Sequence, residues 1–312
     1  MPTEDIRFFG LSGVCPFGVG ASNILTVWDG QTLQVRQRMS NYPVANVLGC
    51  APSPDGRLLL MATAEGGLWL MDPAPGAVLP PVCLQTNGSR LKEADFKGAY
   101  FSDQAKWLAV AYADALRVWR LTHQPPRSGS TLATGNFWGL RFSQDERLLG
   151  AVTGPIMTEQ IVRVWDVASG KELVRVQPHR DNVTGLDFSP DGTVLATASY
   201  DNTCKLFDLR RGHEITTLRG QLFALQSVCF SPDGRRLAAG TGDGGIIIWD
   251  LETGREVLVL KRHQNLVNLV FAVRFHPSGD SLLSVDQTTL RLWRAPSWAE
   301  IEAAEKVQAK SR

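Results

Sequence analysis

Apolar residues in this sequence fall into short runs such as Val194-Leu-Ala-Thr-Ala-Ser199 and Ile246-Ile-Ile-Trp249, too brief for helices and bounded by turn residues. Before the first run stands Ser189-Pro-Asp-Gly192, where Pro presets the first turn dihedral and Gly accepts a positive φ. After the runs, Asp201-Asn202 and Asp243-Gly244 supply the next turns. No helix of ordinary length fits between these turns, so the pattern predicts an all-β protein of antiparallel hairpins.

The pattern repeats. An aliphatic pair followed by a large apolar residue, often with Asp next, recurs as Thr-Val-Trp28-Asp, Trp-Leu-Met71-Asp, Arg-Val-Trp119-Arg, Arg-Val-Trp165-Asp, Lys-Leu-Phe207-Asp, Ile-Ile-Trp249-Asp and Arg-Leu-Trp293-Arg. Successive anchors are 43, 48, 46, 42, 42 and 44 residues apart, close to the period of four short strands per unit. Upstream of the anchors lie Phe188-Ser-Pro-Asp-Gly and Phe230-Ser-Pro-Asp-Gly, with degraded copies at Phe275, Phe142 and Phe101 and a copy without Phe at Ser53. The step from this Phe to its anchor is 19 residues in both clean copies and also from Phe9 to Trp28, which places a first repeat at the N-terminus.

In these features the sequence resembles the WD-repeat family over nearly its whole length, most specifically in residues 179–250. The resemblance implies a seven-bladed β-propeller of four-stranded antiparallel blades over residues 1–296 as one domain. Ser297 and Glu300 have capping-box spacing ahead of strong helix formers, which predicts a short helical tail over 297–312. The ending Trp293-Arg-Ala-Pro-Ser-Trp is similar to the C-terminal propellers of large bacterial proteins, some with a kinase domain upstream. The family pattern also implies a bracing series of hydrogen bonds in the fifth repeat, from His179 through Asp201 and the hydroxyls of Thr197 and Ser199 to a Trp indole. Phe207 takes the Trp position there, so that series is expected to be shorter. Thr241, Asp243 and Trp249 are the sixth-repeat counterparts, and Trp28, Trp119, Trp165 and Trp293 are the remaining structural indoles.

Composition narrows the chemistry. With 32 basic and 31 acidic residues in 312, no global field favours nucleic acid or an anionic membrane. The basic pairs Arg210-Arg211, Arg235-Arg236 and Lys261-Arg262 fall in separate turns, which argues for solvated surface over a phosphate groove. No run approaches a membrane span, and the first residues lack the form of a signal peptide, so a cytoplasmic location is expected. The five cysteines include no Cys-x-x-Cys pair and the five histidines have no ligand spacing, so neither a metal nor any other cofactor is expected.

Two motifs imitate chemistry. His179, Asp201 and Ser199 are the residue types of a nucleophilic triad, yet partial copies recur as Thr241 with Asp243 and Ser284 with Asp286, as a structural brace would and an active site would not. Gly240-Thr-Gly242-Asp-Gly-Gly245 spells a dinucleotide fingerprint, but a strand follows it where a helix is required. The expectation is therefore no enzyme, and a scaffold binding a protein or peptide partner. The alternatives are a sensory or regulatory propeller detached from a larger enzyme such as a kinase, or a nucleic-acid or small-ligand binder.

The resemblance also implies where the partner sits. In the family the wide face is built from positions six and four residues before the turn-motif Phe and from the residue before the turn Asp. Carried onto this sequence, these include Leu48, Lys97, Tyr112, Trp138, Asn182, Thr184, Tyr200, Gln226 and Phe271. Aromatic side chains beside amides and a Lys have the composition of an interface hot spot. Trp138, Tyr200 and Phe271 are the expected anchors.

Overall fold

In the computed structural model the Ser-Pro-Asp-Gly segments are hairpin turns built by the side chains that define them. Ser189 Oγ donates to Asp191 at 2.5 Å and accepts the Val194 N–H at 2.9 Å, while Asp191 accepts the Thr193 N–H at 3.0 Å. Gly192 takes φ +68°. Ser53, Ser143 and Ser231 make the same pair of bonds in their own turns. Where the motif has lost its Gly, the backbone still enters the left-handed region, with φ 54° at Ala105 and 60° at Glu146, a conformation that crowds a β-carbon. Glu146 offsets this strain with a clasp. It is buried, accepts the Gln104 N–H at 2.8 Å and lies 3.4 Å from Lys106 Nζ, tying its turn to the neighbouring one.

The structure describes residues 6–12, 15–20, 25–28, 34–39, 47–55, 57–63, 67–72, 82–84, 96–121, 129–155, 160–219, 223–260, 269–286 and 289–294. They form seven antiparallel sheets in succession, six of four strands and the last of three, each strand beside its neighbours in sequence. The first strands, sheet by sheet, are Ile6–Ser12, Val47–Pro52, Phe96–Phe101, Phe137–Phe142, Val183–Phe188, Leu225–Phe230 and Ala272–Phe275. The third strands are Leu25–Trp28, Leu68–Met71, Ala115–Arg120, Ile161–Asp166, Thr203–Asp208, Ile246–Asp250 and Leu290–Arg294, so every anchor read from the sequence lies on one. Among the described residues there is no helix, and so none long and apolar enough to cross a membrane. The expected helical tail, 297–312, lies outside them.

Neighbouring first strands run side by side in the same direction. Near their beginnings Thr184 Oγ1 donates to the Leu225 carbonyl at 2.7 Å and Ser227 Oγ to the Val270 carbonyl at 3.1 Å. Near their ends Asp187 accepts the Phe230 N–H at 2.9 Å, and Arg274 reaches the Val228 carbonyl at 3.3 Å. One side of the assembly is therefore the leading face, where first strands begin, and the other the trailing face, where they end.

The core lies between sheets. Leu206, Leu218 and Cys204 of the fifth sheet pack on Leu225, Phe230 and Trp249 of the sixth, and equivalent clusters join the second to the third, third to fourth, fourth to fifth and sixth to seventh. A second strand such as Leu59–Thr63 is buried at every residue because both of its faces are covered. Small residues let the sheets approach: a β-carbon at Gly185 would stand 3.1 Å from Ser227 Cα in the next sheet.

Two features differ from the sequence expectation. The first hairpin closes at the pair Ser12–Cys15, so Leu11, and not Phe9, faces Pro16 and takes the position of the motif Phe. The outer strands are also irregular. Opposite each of Trp28, Trp165, Phe207 and Trp249 the outer strand shifts register by one residue, leaving Arg36, Leu173, Ile215 and Val257 outside the ladder. Such bulges bend a free edge away from regular pairing with another polypeptide.

Candidate partner-binding face

A second series of bulges lies at the start of the first strands. The register slips between Val47 and Gly49, between Val183 and Gly185, and between Leu225 and Ser227, leaving Leu48, Thr184 and Gln226 as the extra residues. Lys97 is displaced likewise, since Tyr112 pairs with Phe96 and Ala111 with Gly98. The fourth sheet slips between Trp138 and Arg141. An unpaired residue is re-aimed out of the ladder, so the family offset of four residues before the motif Phe coincides with a backbone device on the leading face.

The side chains at the expected positions divide. Lys97 is exposed, Trp138, Thr184 and Gln226 are half-buried, and Tyr200 and Phe271 are 38% and 37% exposed. Thr184 spends its hydroxyl on the Leu225 carbonyl. Two positions leave the contact set because they are buried: Tyr112, 4% exposed, and Asn182, 7% exposed. Tyr112 packs among the apolar residues joining the second and third sheets. Asn182 Oδ1 accepts from Gln160 Nε2 at 2.9 Å, and Gln160 Oε1 in turn accepts the Val183 N–H at 2.8 Å, so Gln160 staples the fourth sheet to the fifth. Leu48 is placed by its backbone alone, its side chain falling outside the described set. Sequence reasoning missed Phe223, 44% exposed just ahead of the sixth sheet's first strand; an aromatic residue in that loop was the available signal.

Behind this face the fifth sheet contains a buried polar cluster. His179 Nδ1 lies 3.0 Å from Asp201 Oδ2 and its Nε2 lies 2.8 Å from Thr197 Oγ1. A carboxylate only accepts, so Nδ1 carries the proton and Nε2 accepts from Thr197. Thr203, absent from the sequence expectation, donates to Asp201 Oδ1 at 2.5 Å and lies 3.2 Å from Nδ1. Ser199 does not join His179; its hydroxyl reaches the Asp181 carbonyl at 3.4 Å and accepts the Asp201 N–H at 3.0 Å. Burial pushes the His179 pKa down, against the pull of Asp201. Asp201 is held below the usual carboxylate range: burial acts to raise it, but the Thr203 hydroxyl and His179 together outweigh that. The cluster is neutral imidazole, carboxylate and hydroxyls satisfying one another, a brace within the fifth sheet.

Comparison with known proteins matches part of the chain to the WD repeats. The family described as "WD domain, G-beta repeat" matches residues 170–208, 212–250 and 254–294. Residues 170–294 of this chain thus carry three WD repeats. Relatives with similar sequence include coronin-7 of Bos taurus, 36% identical over 107 residues, which are 32% of this chain and 11% of that protein. An uncharacterised WD repeat-containing protein of Synechocystis is 26% identical over 147 residues, 47% of this chain and 39% of its own length. Autophagy-related protein 16 of Arabidopsis thaliana is 27% identical over 186 residues, 60% of this chain and 34% of its own length. The matched stretches thus span well under half of these relatives.

The WD anchors behave differently from sheet to sheet. Trp293 Nε1 donates to Ser284 Oγ at 2.7 Å, with Ser284 two residues beyond Leu282, the partner that faces Trp293 across the ladder. Asp286 holds Thr289 instead, through its backbone N–H and its hydroxyl, both at 2.6 Å. In the fifth sheet Thr197 has the place of Ser284, but Phe207 offers no N–H. In the third sheet Val110 stands there, and the buried Trp119 Nε1 has no partner among the described residues. Trp165 and Trp249 are buried apolar anchors, the former edge-on to Phe137 at 5.8 Å and covered by the Arg163 guanidinium at 4.7 Å. Trp28 lies on its strand, its side chain outside the described set. In the sixth sheet the Thr241 hydroxyl donates to Asp243 at 2.5 Å and accepts the Gly245 N–H at 2.9 Å, closing a hairpin where the glycine-rich motif imitates a nucleotide loop. Among the described residues no group of three metal-ligating side chains comes together. Among the described residues burial shields the thiols of Cys50 and Cys229 and pushes both up to about 12.

Proposed function

We propose that the seven sheets close into a seven-bladed propeller whose leading face holds a protein or peptide partner in the cytoplasm, with no catalysis of its own. The observation that carries this is the repeated bulge at the start of the first strands, which takes one residue out of the ladder in sheet after sheet at the edge of the leading face. The proposed contact set is Lys97, Trp138, Tyr200, Gln226 and Phe271, together with the exposed Phe223. Rigid aromatic surface beside an amide and an ammonium group gives large contact area with little side-chain entropy to lose. A ring is supported by the trailing face, where residues from the second through the seventh sheets border a single pocket.

The test is quantitative affinity capture from the native host with wild-type protein and a Trp138→Ala/Tyr200→Ala/Phe271→Ala variant of unchanged melting temperature. At least one protein enriched by wild type should fall about tenfold or more with the variant. The same proteins captured in the same amounts by both would overturn the proposal.

A further inference from the structure

The pocket on the trailing face has a volume of about 350 Å³, enough for a small molecule or a terminal residue and too small for a folded partner. Its wall is apolar, made by motif phenylalanines and turn prolines of adjacent sheets. Its polar groups are unusual. Arg141, Asp187 and Arg274 hold one and the same repeat position, immediately before the motif Phe, in the fourth, fifth and seventh sheets. Arg141 Nε donates to Asp187 Oδ1 at 2.6 Å and Asp187 Oδ2 accepts the Phe230 N–H at 2.9 Å, so both carboxylate oxygens are engaged. Arg274 is hydrogen-bonded to no carboxylate among the described residues. Its Nη1 donates to the carbonyls of Val273 at 2.9 Å and Val228 at 3.3 Å.

Of the two guanidinium groups only Arg141 is therefore hydrogen-bonded to a carboxylate of the described residues, while Asp187 and the rim residue Asp103 act on both through space. Among the described residues the Nη groups of Arg141 and the Nε and Nη2 of Arg274 donate to no protein acceptor. Burial disfavours the charge on Arg274, and the nearby charge of Arg141 adds to that. An anion between them would relieve both. We propose that this pocket binds a carboxylate borne by an apolar group, its oxygens accepting from Arg274 and Arg141 and its apolar part lying against the Phe and Pro wall. Planar guanidinium forks match a carboxylate. Asp187 and the exposed Asp103 at the rim balance the two guanidinium charges, which suits a monoanion held by the remaining N–H donors over a dianion such as phosphate.

Such a carboxylate comes either from a free acid or from the C-terminus of a polypeptide, and two pairs of probes separate them. N-acetylphenylalanine and a short peptide ending in Phe, each as free acid and as amide, are titrated calorimetrically into the full-length protein. At least one acid should bind saturably and both amides at least about tenfold more weakly; the tighter acid names the source. Arg274→Gln should lose that binding, and Asp103→Asn, at an exposed rim position, should tighten it severalfold. Binding of neither acid, equal binding of acids and amides, or Asp103→Asn leaving affinity unchanged or weaker would overturn the proposal. The Trp138/Tyr200/Phe271 variant should bind the acid as wild type does, so failure of the leading-face reading is distinguishable from failure of this one.

Discussion

Replacing Gly240 by Ala probes how closely the sixth sheet meets the seventh. A β-carbon there would stand 2.4 Å from the Val270 carbonyl oxygen and 2.7 Å from both Ser227 Oγ and Val270 Cγ1. The first obstacle is backbone, so relief needs the segment at Val270 to retreat by about 1 Å to an ordinary contact distance. That retreat breaks the bond from Ser227 Oγ to the Val270 carbonyl, 3.1 Å, and the one from the Val270 N–H to the Thr241 carbonyl, 3.2 Å. Overpacking of about 1–3 kcal/mol and about 1 kcal/mol for each lost bond sum to about 3–5 kcal/mol. At about 2 °C per kcal/mol for a protein of this size, the melting temperature should fall by about 6–10 °C. Gly192→Ala is the control: its φ is +68° and nothing lies within 4 Å of the added carbon. It should cost only the left-handed penalty of about 1–2 kcal/mol. Thermal melts followed by circular dichroism compare the two. A Gly240→Ala protein that melts no lower than Gly192→Ala would refute this close packing of sheet on sheet.

Three further outcomes follow from single contacts. Because the folded-state pKa of His179 lies below its ordinary value of 6.5, the unfolded state takes up the proton first; stability should therefore decline as pH drops below that value, and further through the carboxylate range as Asp201 is titrated. Urea midpoints measured from neutral to mildly acidic pH should show this decline, and His179→Gln should flatten its upper part; an unchanged slope would contradict it. Val110→Thr puts a hydroxyl where Ser284 serves Trp293 and should give Trp119 Nε1 its missing partner, stabilising by about 1 kcal/mol in urea titrations; a loss of stability would show that the indole is not orphaned. Glu146→Gly relieves a positive φ but removes the acceptor of the Gln104 N–H, and should be destabilising by about 1 kcal/mol net, the charged bond outweighing the strain; a more stable variant would mean that the clasp contributes little.

The repeats were legible because each anchor and each Ser-Pro-Asp-Gly turn is specified locally: Trp249 and Phe207 fall on third strands, and Ser189 and Asp191 build their turn from their own side chains. What failed to show depends on contacts between repeats. Asn182 and Tyr112 carry the right offsets for a surface, but Gln160 from the preceding sheet and the apolar packing between sheets claim them. Thr203 escaped notice because no periodic pattern marks a hydroxyl that serves a neighbouring carboxylate. Phe9 misled because a fixed spacing of 19 assumes the long turn, and the first hairpin has a tighter one. The Arg141, Asp187 and Arg274 set was hidden by chemistry that changes from repeat to repeat at one constant position.

The shared face and the shared pocket both require a ring, and the order of three distances tests it. In a cysteine-free background, spin labels are placed in pairs at Val35 and Arg294 on the first and seventh sheets, at Val35 and Ile215 on the first and fifth, and at Leu173 and Ile215 on the adjacent fourth and fifth; all four positions are exposed. A closed ring of seven predicts that the Val35–Arg294 separation, read by pulsed electron paramagnetic resonance, is narrow, similar to that of the adjacent pair and shorter than Val35–Ile215. A Val35–Arg294 separation longer than Val35–Ile215 would show an open arc of sheets and contradict the account.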